Sequence, residues 1–159
     1  SLAGVVASLF AVVRATGRGL EHIDTDEFTD LVNGVVMPIV RFIKENLEIE
    51  VPEGCTILEA SRMAHAPEGD RCGGVCACST CHVYVVEGFD STSEIEDEEF
   101  DILDKAIGVR MTSRLGCQAR IQGDIRVEIS DESFQAFCDE HPDQAEAAQA
   151  LRASAKPAT

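Results

Sequence analysis

The chain predicts an α+β domain, and three observations carry that expectation. Two short alternating runs, "PIVRFI" from Pro38 and "LEIEVPEG" from Leu47, flank Glu45-Asn46 and describe a β-hairpin with Pro38 at a strand start. "TILEASRMAHA" places Thr56 and Glu59 at capping-box spacing, with Ile57, Leu58, Met63 and Ala64 expected on one helical side. "HVYVV" reads as a strand and follows directly on a glycine- and cysteine-rich stretch that cannot be regular.

The remaining elements follow in chain order. Residues 1–34 are expected to form a helical N-terminal extension: "LAGVVASLFAVVRA" lacks turn residues after Gly4, and "DTDEFTDLVNGVV" has a cappable acidic start at Asp24 or Thr25. The main domain is then 35–130. Within it, Ser93 with Glu96 is expected to start a helix whose buried stripe is Phe100, Leu103 and Ile107, with Gly108 as its left-handed cap. "ARIQGDIRVEIS" predicts a second hairpin turning at Gly123-Asp124. Residues 131–159 form a C-terminal helical tail, with Pro142 suited to the first turn of a helix and the last residues frayed.

Charge narrows the partners. With 13 basic against 29 acidic residues and a net charge of -16, the surface repels phosphate backbones and anionic lipid, so nucleic acid and membrane surfaces are excluded as partners. Hydrophobic content of 45% assigns the acidity to the surface of a folded domain and not to a disordered chain. Basic patches on other proteins are the complementary target. The longest uncharged apolar run, Leu2 to Val13, falls short of the roughly 20 residues that cross a bilayer, so no membrane span is expected. Arg14 and Arg18 after that run read as the remnant of a targeting segment. Seven clustered cysteines, an odd number, point to thiols or metal ligation in a reducing compartment, the bacterial cytoplasm or the mitochondrial matrix.

The cysteines carry the chemistry. Cys72, Cys78 and Cys81 are spaced C-x5-C-x2-C, and Cys117 follows alone in "SRLGCQ". A [2Fe-2S] cluster needs four thiolates, two per iron, and an irregular loop plus one residue brought in by folding supplies them. Gly73 and Gly74 allow positive φ, so that successive N–H groups turn inward and donate to sulfur. Tetrathiolate zinc is the alternative, but it usually arrives as two C-x2-C knuckles and only Cys78 and Cys81 form one. A redox dithiol would need that pair at a strand-to-helix junction, whereas it runs into a strand. Cys76 does not restore the C-x4-C-x2-C register of plant-type ferredoxins and is expected to turn toward the protein. Cys55 and Cys138 are isolated and read as small buried hydrophobes.

"CGGVCACSTCHVYV", "DEEFDILDKA" and "TSRLGCQ" together resemble the vertebrate-type [2Fe-2S] ferredoxins, the adrenodoxin family, over roughly residues 36–130. The resemblance implies a β-grasp fold, with Cys72 and Cys78 on one iron and Cys81 and Cys117 on the other. It also implies that His82 links the cluster loop to the body. The helix "EIEDEEFDILDK" becomes a docking site through Asp97, Glu98, Asp101 and Asp104. Its partners would be an NAD(P)H-dependent flavoprotein ferredoxin reductase and a haem-thiolate monooxygenase or similar acceptor. The function so implied is one-electron transfer, with no catalytic residue and the chemistry belonging to the cofactor. The alternative is a structural or regulatory ferredoxin-like subunit of a larger respiratory or monooxygenase complex, anchored by the two extensions. The sequence departs from the family in the short connection after Cys117, in the absence of a proline from "VEISDESF", and in residues 1–34 and 131–159.

Overall fold

The computed structural model describes residues 36–155; the expected helical extension 1–34 and residues 156–159 lie outside the described residues. Strands β1 (Ile39–Phe42) and β2 (Leu47–Glu50) form the expected hairpin, antiparallel with Val40 opposite Ile49. Asn46 closes its turn at φ 52°, a left-handed conformation that asparagine tolerates better than most residues. β3 (His82–Glu87), β4 (Ser113–Leu115) and β5 (Ile125–Ile129) complete one sheet in the order β2-β1-β5-β3-β4. β5 runs parallel to β1 and antiparallel to β3. A mixed sheet with a parallel central pair, covered by a helix, is the β-grasp arrangement that the resemblance implied.

Helix α1 (Ile57–Ala64) starts where its capping box places it: Glu59 N donates to Thr56 Oγ1 at 3.1 Å and Thr56 N donates to Glu59 Oε2 at 2.9 Å. Such a cap contributes about 1 kcal/mol. The helix buries Ile57, Leu58, Ala60 and Ser61, and Met63 is exposed, contrary to expectation. At about 100° per residue, Met63 lies well round the helix from Ile57, whereas Ala60 and Ser61 share its face. Val40, Phe42, Val83, Val85, Ile125, Val127 and Ile129 meet Ile57 and Ala60 in the main core.

Helix α2 (Asp97–Leu103) differs from its expected form at both ends. Ser93 does not cap it, because its hydroxyl accepts a hydrogen bond from Arg120 N instead. Of the expected stripe only Leu103 is buried; Phe100 and Ile107 are exposed, and Glu99 takes the inward position one turn before Leu103. Gly108 is left-handed at φ 72°, but it closes the turns after the helix and is not the helix cap.

The second hairpin does not form. Arg120 bridges to Thr56 and Ile121 to Thr92, so residues 120–121 lie against the start of α1 and the short 3-10 turn Phe89–Ser91. β5 then pairs with β1 and β3, strands remote in sequence. The backbone groups of 119–121 are already taken, Ile121 by Gly54 and Cys55, Ala119 O by Ile57 N and Arg120 O by Ser93 N, so they do not pair with a local strand.

The chain continues into α3 (Asp131–Glu140) and α4 (Ala145–Ser154). Ser130 caps α3, its hydroxyl accepting from Ser133 N at 3.1 Å, which gives a use for serine where the resemblance led us to expect proline. Pro142 lies in the turns between the helices and not in the first turn of α4. Arg152 of α4 donates to the buried Glu45 at 3.0 Å and to Ile129 O at 3.2 Å, and its guanidinium lies over the Phe134 ring. Among the described residues no helix is long and apolar enough to cross a membrane.

Candidate metal centre

The sheet register brings the distant cysteine to the loop. His82 lies opposite Leu115, and Gly116 N donates to Cys81 O at 2.8 Å, so the turn after β4 carries Cys117 alongside the end of the cysteine loop. The Cys81 and Cys117 thiols lie close enough to influence each other's ionisation. That proximity holds Cys117 down as the readier thiolate and pushes Cys81 up, with burial adding to the rise at Cys81. At the other end of the loop Cys72 and Cys78 are likewise neighbours, and Cys78 Sγ lies 3.1 Å from Thr80 Oγ1. Burial pushes Cys72 up, but the N–H groups of Ala77, Gly74 and Val75 and the Cys78 thiol outweigh it, and the net shift is downward.

Those inward N–H groups depend on left-handed backbone. Gly73 and Gly74 have φ of 71° and 87°, as the sequence predicts, and Cys76 joins them at 58°. Its own N–H faces the Cys117 sulfur. A Cβ on Gly74 would come within 3.3 Å of Leu58, so the loop also closes tightly on α1. Cys76 packs against Leu58, Leu103 and Leu115, the placement expected of it, and burial pushes its thiol up to about 11. Burial likewise pushes Cys55 up to about 12, out of reach of thiolate chemistry.

Four sulfurs arranged two by two, lined by backbone N–H groups on one side and leucines on the other, fit a cluster that takes two thiolates per iron. Cys81 and Cys117 are buried and Cys72 and Cys78 half-buried, so such a group would sit shallowly beneath the loop.

His82 is fully buried, with Nε2 2.8 Å from Ser113 Oγ and Nδ1 3.8 Å from Glu132 of α3. Burial lowers its pKa and outweighs the nearby Glu132. The ring thus ties the cysteine loop to β4, the structural role expected of it. Asp97, Glu98, Asp101 and Asp104 are all exposed on α2.

Three functional groups were not visible in the sequence. Glu99 is buried and accepts both Nε and Nη2 of the fully buried Arg114, at 2.8 and 2.9 Å, and also Leu115 N. Its signal was the i, i+4 spacing from Leu103. Glu68 is buried with no hydrogen-bond partner for either carboxylate oxygen, and a Cβ on Gly116 would overlap it. Burial first, then the nearby Cys117, push its pKa up to about 8. Glu132 sits in the first turn of α3, and nothing local marks it.

Residues 41–122 match the model of the 2Fe-2S iron-sulfur cluster binding domain. The chain belongs to the [2Fe-2S] ferredoxin family. It is 43% identical over 96 residues to a 2Fe-2S ferredoxin of Haemophilus influenzae, covering 60% of this chain and 85% of that one. It is 49% identical over 77 residues to the mitochondrial adrenodoxin homolog of Saccharomyces cerevisiae, covering 48% of this chain and 45% of that one. Among solved structures it is similar to the ISC-like [2Fe-2S] ferredoxin of Pseudomonas putida, with TM-score 0.55, 44% identity and coverage of 59% and 93%. It is also similar to the covalent putidaredoxin reductase-putidaredoxin complex, with TM-score 0.50, 25% identity and coverage of 59% and 97%. This adrenodoxin-like ferredoxin is therefore an electron carrier and not an enzyme, and its cofactor is a [2Fe-2S] cluster.

Proposed function

We propose that this ferredoxin shuttles single electrons from an NAD(P)H-dependent flavoprotein ferredoxin reductase to a haem-thiolate monooxygenase or similar acceptor, in the bacterial cytoplasm or the mitochondrial matrix. Cys72 and Cys78 hold one iron and Cys81 and Cys117 the other. The observation that carries the assignment is the β3–β4 register, which brings the solitary Cys117 beside Cys81 at the end of the cysteine loop. When bound, the cluster supplies reversible one-electron chemistry. The protein's part is to keep the thiolates deprotonated, to offset added negative charge with the N–H groups of Gly74, Val75, Cys76 and Ala77, and to exclude water behind Leu58 and Leu115. Asp97, Glu98, Asp101 and Asp104 steer basic partners to the loop's side of the molecule, raising association rates without making the complex tight. The similarity to putidaredoxin bound to its reductase supports a flavoprotein donor.

The C-terminal helices bear on the rival reading, an anchored subunit. Arg152 spends its contacts inward, on Glu45, Asp131 and Ile129 O, which favours a tail that serves its own domain. The deciding experiment is iron and acid-labile sulfide analysis with electron paramagnetic resonance of the dithionite-reduced protein, for wild type and C117S. Wild type is expected to hold about two irons and two sulfides per chain and to give a reduced-cluster signal, and C117S to lose that signal or change its character. A C117S protein indistinguishable from wild type overturns the ligand set.

A further inference from the structure

The carboxylate of Glu132 contacts two segments that the chain separates widely, 79–82 and Ile107. Oε1 accepts the Ser79 hydroxyl at 3.1 Å, and Ser79 lies between the ligands Cys78 and Cys81. Oε2 accepts Ile107 N at 2.9 Å, in the exposed segment that follows the acidic helix. The same oxygen lies 3.8 Å from His82 Nδ1, a buried ring nitrogen without a hydrogen-bond partner of its own. The ring's other nitrogen meets Ser113, whose hydroxyl accepts Arg110 N at 2.8 Å. One side chain from α3, beyond the matched family domain of residues 41–122, thus bridges the ligand loop and Ile107, while His82 and Ser113 hold the other end of the 107–110 segment.

We propose that Glu132 is a positioning residue that couples the ligand loop at Ser79 to the partner-facing segment at Ile107, making α3 part of the electron-transfer apparatus. The inference rests on the electron-carrier reading above. The two carboxylate oxygens accept from different donors, a hydroxyl on one side and an amide N–H on the other. An amide of the same shape keeps one acceptor and turns N–H groups toward the other side, so the Ser79 hydroxyl has to reverse its role. Movement of Ile107 when a partner docks is transmitted to Ser79 through a rigid two-bond bridge, and the position of the carboxylate charge near the cluster follows it.

The test uses the cluster-loaded protein as wild type, E132Q, S79A and S79A/E132Q, with three readouts: the visible spectrum, the midpoint potential, and hydrogen exchange of residues 104–112. E132Q removes a negative charge beside a group that gains one on reduction, so it is expected to favour the reduced form about tenfold, about 59 mV for one electron. E146Q, on an exposed residue of α4, removes the same charge without these contacts and is expected to leave the potential in place. S79A is expected to speed exchange at Ile107 severalfold, although Ser79 does not touch it, and to add nothing in the E132Q background. Unchanged Ile107 exchange in S79A, or strictly additive effects, overturns the coupling. If E132Q fails to fold, the exchange result for S79A decides. Failure of the underlying reading shows separately, as a wild type without a reversible cluster signal.

Discussion

Helices α2 and α3 are both short and both open on acidic residues, Asp97, Glu98 and Glu99 in one and Asp131 and Glu132 in the other. Their carboxylates are used in opposite ways. On α2, Asp97, Glu98, Asp101 and Asp104 face solvent. On α3, Asp131 accepts from Lys44 and Arg152, Glu132 from Ser79 and Ile107 N, and Glu140 from Asp70 N. Acidic composition alone therefore does not say whether a helix keeps its carboxylates free; the donors packed against it do. α3 lies against the 68–71 and 79–82 segments, whose N–H and hydroxyl groups donate to it, whereas the outer face of α2 is exposed.

Glu99 is the exception on α2, and removing it is expected to have the largest effect. E99A leaves the Arg114 guanidinium fully buried with its bidentate partner gone, a loss of about 3 to 5 kcal/mol. E98A, one residue away but exposed, is expected to stay within about 0.5 kcal/mol of wild type. Urea unfolding of the cluster-loaded protein measures both. Equal midpoints would erase the distinction between the two faces of α2.

Glu68 sharpens the contrast from the other side, as a buried carboxyl with no guanidinium to match that of Glu99. It lies in the segment that α3 staples through Ser133 to Gly69 N and Glu140 to Asp70 N. Its surroundings include Arg62, which favours ionisation, and Asp70 and Cys117, which oppose it. Burial raises the folded-state pKa from 4.5 to about 8, so the folded protein binds a proton that the unfolded chain has released. Stability contributed by this group is greatest below the unfolded value, falls as pH rises, at up to about 1.4 kcal/mol per unit, and levels off once the folded-state pKa is passed. E68Q is expected to remove that slope, so its advantage over wild type grows from pH 5 to pH 8. Parallel stability curves for the two proteins would show that the carboxyl is solvated.

What the sequence made legible was local. The Thr56–Glu59 box, the left-handed Gly73 and Gly74 and the strand at His82 depend on neighbours within a few residues, and each stands where expected. The misread elements depend on distant partners. Residues 120–121 are drawn to Thr56 and Thr92, so no hairpin forms at Gly123. Phe100 and Ile107 were assigned to the core by apolar character, but the inward positions belong to Glu99 and Leu103 because Arg114 waits beneath them. At the candidate metal centre the four cysteines were marked by spacing and motif, while Glu68 and Glu132 were not, since their contacts come from a turn and a helix far along the chain.

The exposed face of α2 offers a test of intermediate size. Neutralising it with D97N/E98Q/D101N/D104N is expected to slow reduction by a flavoprotein reductase about tenfold to a hundredfold at low salt and to flatten the salt dependence. Stopped-flow rates across ionic strength measure this, with the unfolding midpoint unchanged. The matched change on α3, D131N, is expected to leave the rates alone. A quadruple variant with wild-type rates at every ionic strength would place docking elsewhere.

The smallest effects separate the two helix starts. Ser130 accepts from Ser133 N, whereas Glu96 at the same position of α2 makes no side-chain cap bond. S130A therefore removes an existing cap and is expected to cost about 1 kcal/mol, while E96A removes none. The loss should be felt locally first, because the first turn of α3 carries Glu132 and its bonds to Ser79 and Ile107. Hydrogen exchange is the sensitive measurement: in S130A the start of α3 and the 104–112 segment should loosen together, and in E96A neither should change. Faster exchange confined to α3, with Ile107 still protected, would mean that Glu132 holds its contacts without help from the cap.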